Sequence, residues 1–203
     1  MKLYYSPGAC SLASHITLRE AGTPFELEKT DIRTKTTETG SDFRKINPKG
    51  AVPALALDNG VVLTEGVAIM QYVADNSGSE ELAPPAGSIG RARLQEALNY
   101  VASEVHKSYS PLFNPALPDD AKAAQKEVLN TKFAWLEDLL SDGRTYLTGA
   151  NFTPVDAYLF TVTNWSDMLG HDLSDFPRIG ELRARVAARP AVQAALAAEG
   201  LTG

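Results

Sequence analysis

The spacing of hydrophobic and polar positions changes along the chain and divides it in two. Lys2-Leu3-Tyr4-Tyr5 is a short apolar run stopped by Ser6-Pro7-Gly8, which predicts a strand ending at a turn. From Cys10 to Ala21, Leu12, Ile16 and either Ala13 or Leu18 recur on neighbouring turns, predicting a helix closed by Gly22. Phe25 to Ile32 alternates apolar and charged residues, as a strand with one wet face does. Arg33 to Ser41 is polar and reads as a loop, and Asp42 to Ile46 predicts a short helix before the turn Asn47-Pro48-Lys49-Gly50. Residues 51–57 and 60–63 form two apolar runs joined through Asp58-Asn59-Gly60, the commonest chemistry of a tight hairpin. Thr64-Glu65-Gly66 then leads into an apolar helix over residues 67–73.

After Ser77 the pattern breaks. Ser, Glu, Pro and Gly collect around Pro84-Pro85-Ala86-Gly87, which marks a domain boundary. The expected division is a first domain over residues 1–80, a linker over 81–87 and a second domain over 88–203. Everything beyond the linker has helical spacing: Ser88 to about Asn114, Asp119 to Leu140, Pro154 to Trp165, and a last pair over 177–198 broken at Arg189-Pro190. Thr153-Pro154-Val155-Asp156 has the form of a capping box, with Thr153 as N-cap and Asp156 as its reciprocal partner. The helix it opens is so apolar that it belongs at the centre of its domain.

Composition narrows the function classes. The chain has 203 residues, 44% of them hydrophobic and 22% charged, within the usual range of a globular protein. A net charge of −6 without basic blocks argues against nucleic acid or an anionic membrane as partner. Nothing approaches the ~18 consecutive apolar residues of a membrane span. The early turn at Pro7-Gly8 leaves no room for a signal sequence, so the expected location is cytoplasmic. One cysteine permits neither an intrachain disulfide nor a multi-thiolate metal site, and no metal is expected.

That cysteine, Cys10, stands at the first turn of the first helix, where unpaired N–H groups favour a thiolate. It reads equally as a small buried hydrophobe. Ala13 at the +3 position supplies no resolving thiol, so a reactive Cys10 needs an external one. Val52-Pro53 is either a plain edge-strand proline or a cis bond that leaves the Val52 backbone open to an extended peptide. Glu65-Gly66 is either a helix cap or a seat for an α-amino acid end, with Glu65 on the ammonium and the helix N–H groups on the carboxylate. In the first helix after the linker, Leu94, Leu98, Val101 and Val105 make an apolar stripe. Asn99, Ser103, His106 and Lys107 make a polar one, a mixture that suits a cleft wall better than a solvated face.

Four segments together resemble the bacterial beta-class glutathione S-transferases: residues 4–16 around Cys10, 47–55 around Val52-Pro53, 63–72 around Glu65-Gly66, and 152–160 around the capping box. The resemblance runs the length of the chain, and Cys10 with His106 and Glu65-Gly66 is its most specific part. It implies a thioredoxin-like βαβαββα domain carrying glutathione, an all-helical domain carrying the electrophile, and a homodimer. By the same resemblance Cys10 meets the glutathione sulfur and His106 is the second residue of the activity. Val52 beside cis-Pro53 pairs with the cysteinyl unit, and Glu65 and Gly66 hold the γ-glutamyl end. Lys35, Asn99, Ser103, Glu104, His106 and Lys107 contact glutathione, with Lys35 or Lys107 facing its second carboxylate.

Three functions fit: conjugation of glutathione to small hydrophobic electrophiles, glutathione-dependent thiol exchange or peroxide reduction through Cys10, and non-enzymatic carriage of hydrophobic ligands. The first is the leading expectation. The electrophile pocket is expected near Tyr109, Pro111, Leu112, Phe113 and Trp165, Tyr5 in the core or just behind the site residues, and Ser11 at the helix start, within possible reach of the sulfur. His15 and His171 are expected to be structural or solvated.

Overall fold

The computed structural model describes residues 1–202. They form two compact units, Met1–Ala83 together with the chain from Ala188 onward, and Pro84–Ala187. In the first unit the order is β1 (Lys2–Tyr5), α1 (Ser11–Glu20), β2 (Glu26–Asp31), β3 (Thr36–Thr37), a single 3-10 turn at Phe43–Lys45, β4 (Ala54–Ala56), β5 (Val62–Thr64) and α2 (Gly66–Asn76). The strands make one sheet in the order β3-β2-β1-β4-β5, with β1 and β2 parallel and the other pairs antiparallel. Leu3 sits opposite Leu27 on one side and Leu55 on the other, and Leu55 opposite Leu63. This register puts the apolar residues on common faces, because side chains alternate with period two. Leu3, Tyr5, Leu18, Leu55, Ile69 and Val73 form one buried cluster, and Phe43, Val52 and Ala54 another.

The thioredoxin-like arrangement expected from the sequence is present, with three local differences. The segment read as a loop over 33–41 contains β3, whose Thr36 and Thr37 pair with Asp31 and Thr30. The helix expected at 42–46 is one 3-10 turn, capped by the Asp42 carboxylate on the Arg44 N–H. The last helix, α8 (Pro190–Ala198), belongs by sequence position to the second domain but packs on α1. The reason is legible in α1: Ser11 through Leu18 are buried on every side, which takes a cover over both faces. His15 Nδ1 meets Glu199 Oε1 at 2.8 Å and Arg19 Nε donates to His15 Nε2 at 2.9 Å, so the imidazole carries its proton on Nδ1. Glu199 Oε2 also accepts the Gly8 N–H at 2.9 Å.

The second unit is helical: α3 (Ile89–Tyr100), a π-helical turn at Val101–His106, α4 (Lys107–Tyr109), a 3-10 turn at Ser110–Phe113, α5 (Asp119–Leu139), a 3-10 turn at Leu140–Asp142, α6 (Pro154–Leu169) and α7 (Pro177–Ala187). α6 is the central helix, with every residue from Pro154 to Thr163 buried. Its capping box is formed as the sequence predicts. Asp156 accepts from the N–H of Thr153 at 2.9 Å, the Thr153 hydroxyl at 3.0 Å and the Leu147 N–H at 2.8 Å. Burial nonetheless pushes its carboxyl up to about 6, because three donors do not replace full hydration. Among the described residues no helix is long and apolar enough to cross a membrane.

Candidate functional site

The chemistry of the first unit gathers where α1, the loop before β4 and the start of α2 meet. Cys10 is the N-cap of α1, partly exposed, and its thiol donates to the Val52 carbonyl at 3.3 Å. The Val52-Pro53 bond is cis, and no acceptor among the described residues takes the Val52 N–H. Ser11 does not serve the sulfur: its buried hydroxyl donates to the Ser6 carbonyl at 3.2 Å and accepts the Ser6 N–H at 3.1 Å. Tyr5 lies in the core, as expected.

Glu65 is the N-cap of α2, but its side chain makes no capping bond. It adopts φ +69°, a conformation that non-glycine residues rarely take and that costs about 1–3 kcal/mol. Its carboxylate is turned to the Lys49 ammonium, which also donates to the Thr64 hydroxyl at 2.9 Å. Gly66 opens α2 above Pro53 and Ser14. A Cβ added at Gly66 would lie 3.6 Å from Pro53 Cγ and 3.9 Å from Ser14 Oγ, ordinary contact distances, so the start of α2 packs directly over the cis-proline. Ser14 is fully buried, and among the described residues its hydroxyl has no partner.

Lys35 is the unit's other non-glycine residue at positive φ, +62°, and its ammonium donates to the Gly50 carbonyl at 2.7 Å. Lys35 and Lys49 thus brace the loop between them. Asn47, almost fully buried, organises that loop from inside: its Oδ1 accepts the Lys49 N–H at 3.1 Å and its amide donates to the Ala51 carbonyl at 2.7 Å. Lys49 and Asn47 were singled out by sequence only as turn residues. The signal that could have found them is their place in the turn that leads directly into Val52-Pro53.

The helical unit holds a second cluster. His106 Nδ1 lies 2.6 Å from the Tyr158 hydroxyl, and the imidazole packs edge-on against Trp165 with ring centres 4.9 Å apart. Burial, with the positive charge of Lys107 added, pulls its pKa down to about 4. At neutral pH the ring is therefore uncharged, and Nε2 is the nitrogen without a partner among the described residues. It can accept or donate one proton-sharing contact, depending on which way Tyr158 turns its hydroxyl.

The polar stripe expected from sequence does not form as one surface. Asn99, Ser103 and Lys107 are exposed while His106 is more than half buried. At about 100° per residue His106 is the member of the stripe nearest the apolar face, and its ring lies against Tyr158 and Trp165. The Ser103 hydroxyl donates back to the Asn99 carbonyl at 2.9 Å. Glu104 is engaged by Lys132 at 2.7 Å, and that bond holds its carboxyl below the usual range. Tyr109, expected in a pocket wall, is instead fully buried, its hydroxyl on Ser166, because the apolar stripe continues through it. Phe113 remains half exposed and packs edge-on against Trp165 at 5.3 Å. His15 and His171 are both buried and structural, the latter held by Asn130 at 2.8 Å.

Two family models match parts of the chain. Residues 8–76 match the glutathione S-transferase N-terminal domain and residues 100–190 the C-terminal domain. Glutathione S-transferase GstA of Escherichia coli O157:H7 is 48% identical, covering 99% of this chain and 100% of its own. A sphingomonad glutathione S-transferase solved as a complex with glutathione is 47% identical with a TM-score of 0.94, both chains covered in full. The beta-class glutathione S-transferase of Sphingomonas chungbukensis is 45% identical with the same score, again over both full chains. With the cysteine at the start of α1, the cis-proline strand and the glutamate–glycine entry to α2 already in place, the chain belongs to the glutathione S-transferase family, in its bacterial beta class.

Proposed function

We propose that this protein binds glutathione on its first unit and joins the tripeptide, through its sulfur, to small hydrophobic electrophiles. The observation that carries the reading is the approach of Cys10 Sγ to the Val52 backbone, 3.3 Å, at a strand start whose N–H is unpaired. An extended cysteinyl unit that pairs with Val52 brings its own sulfur to Cys10. Glu65 takes the α-ammonium of the γ-glutamyl end and the Gly66 N–H its carboxylate, while Lys35 serves the glycyl end. In the transfer, the glutathione sulfur forms a bond to carbon, the leaving group departs with its electron pair, and the thiol proton goes to solvent. His106, uncharged, contributes hydrogen bonding rather than a fixed positive charge. Asn99, Ser103, Glu104 and Lys107 complete the proposed contacts, with a homodimer as the assembly.

A second reading is favoured by the partial exposure of Cys10 at a helix start. Its thiolate attacks oxidised glutathione, one glutathione thiolate leaves, and a Cys10–glutathione mixed disulfide remains. Retention on immobilised glutathione, followed by turnover of an aryl halide, tests the main reading. A folded protein that fails to bind the resin sinks it.

A further inference from the structure

Glu65, the carboxylate to which the proposed function assigns an ammonium, already holds one. Lys49 reaches it from a loop sixteen residues earlier in the chain, and the same Nζ bonds the Thr64 hydroxyl. The two side chains are 55% and 69% exposed, and a surface pair of that kind contributes little to folding. Yet both ends are built with care: buried Asn47 fixes the Lys49 backbone, and Glu65 is held at positive φ.

The arrangement has a simple chemical complement. An α-amino acid end carries an ammonium and a carboxylate on one carbon, so its partner surface is an anion beside a cation. Glu65 is the anion. Of the two lysines that brace the loop, Lys35 has its ammonium on the Gly50 carbonyl, whereas Lys49 stands directly against Glu65. We propose that Lys49 is a specificity-determining residue that reads the free α-carboxylate of the γ-glutamyl end, a role resting on the assignment of glutathione to this unit. On docking, the ion pair opens into a square of alternating charges: the ligand ammonium shares Glu65, and the ligand carboxylate takes Lys49. Every charge keeps an opposite neighbour, so the exchange costs little. A peptide with the ammonium alone must compete with Lys49 for Glu65 and offers that lysine nothing in return.

Three S-methylated peptides, which cannot exchange with Cys10, separate the contributions: glutathione itself, 4-aminobutanoyl-Cys-Gly (no α-carboxylate) and glutaryl-Cys-Gly (no α-ammonium). Calorimetric titration of the wild type is expected to show about tenfold tighter binding of the glutathione form than of the aminobutanoyl form, as for one charge-assisted contact. Lys49→Gln should reduce that ratio to within about twofold and leave the preference over the glutaryl form in place, and Lys49→Arg should restore it. Equal weakening of all three peptides by Lys49→Gln, or an unchanged ratio, overturns the role of Lys49 while leaving the glutathione site standing. A wild type that binds none of them, or a Glu65→Gln variant with an unaltered preference over the glutaryl form, overturns the underlying assignment and the role of Lys49 with it.

Discussion

The Cys10 thiol donates to the Val52 carbonyl across 3.3 Å, linking the start of α1 to the residue before the cis-proline. A thiol makes that bond and a thiolate does not, because a carbonyl oxygen repels negative charge. A docked peptide that engages Val52 therefore also changes what the sulfur can bond to, and the state of Cys10 is coupled to occupancy of the strand edge.

Cys10 is the chain's only thiol, so Cys10→Ser should abolish glutathione-dependent disulfide exchange entirely. Aryl-halide conjugation should fall by about tenfold or less, because the attacking sulfur belongs to glutathione. Parallel assays of the two activities on one preparation check this. Equal loss of both would place Cys10 in the conjugation step itself.

Glu65→Gly should separate stability from binding. Glycine relieves the positive-φ strain of about 1–3 kcal/mol and returns part of it as chain entropy, for a net gain of about 1 kcal/mol. Glutathione affinity should fall at least about tenfold with the carboxylate gone. Denaturant titration and calorimetry on the same variant give both numbers.

His106 should leave a mark on acid stability. Its folded pKa, about 4, lies below the ordinary histidine value of 6.5, so the unfolded chain binds its proton first. The full contribution of the buried uncharged ring is present above pH 6.5 and is lost as the pH falls towards 4. At most about 3 kcal/mol is involved, the shift taken at 1.36 kcal/mol per unit. Urea titrations between pH 4 and 7 should show this slope in the wild type and a shallower one in His106→Asn.

Glu199→Ala removes the carboxylate that accepts from the His15 Nδ1–H in a buried pair and from the Gly8 N–H. The expected cost is about 3 kcal/mol, or a melting point lower by roughly 6–12 °C. Glu199→Gln keeps an acceptor and should lose less than half of that. Thermal denaturation of the two variants side by side decides it.

What the sequence revealed was local. The capping box of α6 is complete in four consecutive residues, and Cys10 at the start of α1 follows from a strand, a turn and a helical period within ten. The Asn-Gly hairpin and the apolar α6 are of the same kind. What it concealed depends on packing between distant segments or on one extra residue in a turn. The π turn at Val101–His106 carries no pattern of its own. The Lys49–Glu65 pair and the docking of α8 on α1 join residues that no period connects.

The pairing of His15 with Glu199 spans 184 positions of the chain, and it sets an order of assembly. During synthesis the first unit waits for its cover until α8 leaves the ribosome, while the helical unit from Pro84 to Ala187 is contiguous and can close earlier. The half made first is the half finished last, and a nascent chain cut short before Pro190 leaves the flank of α1 that α8 covers open to water.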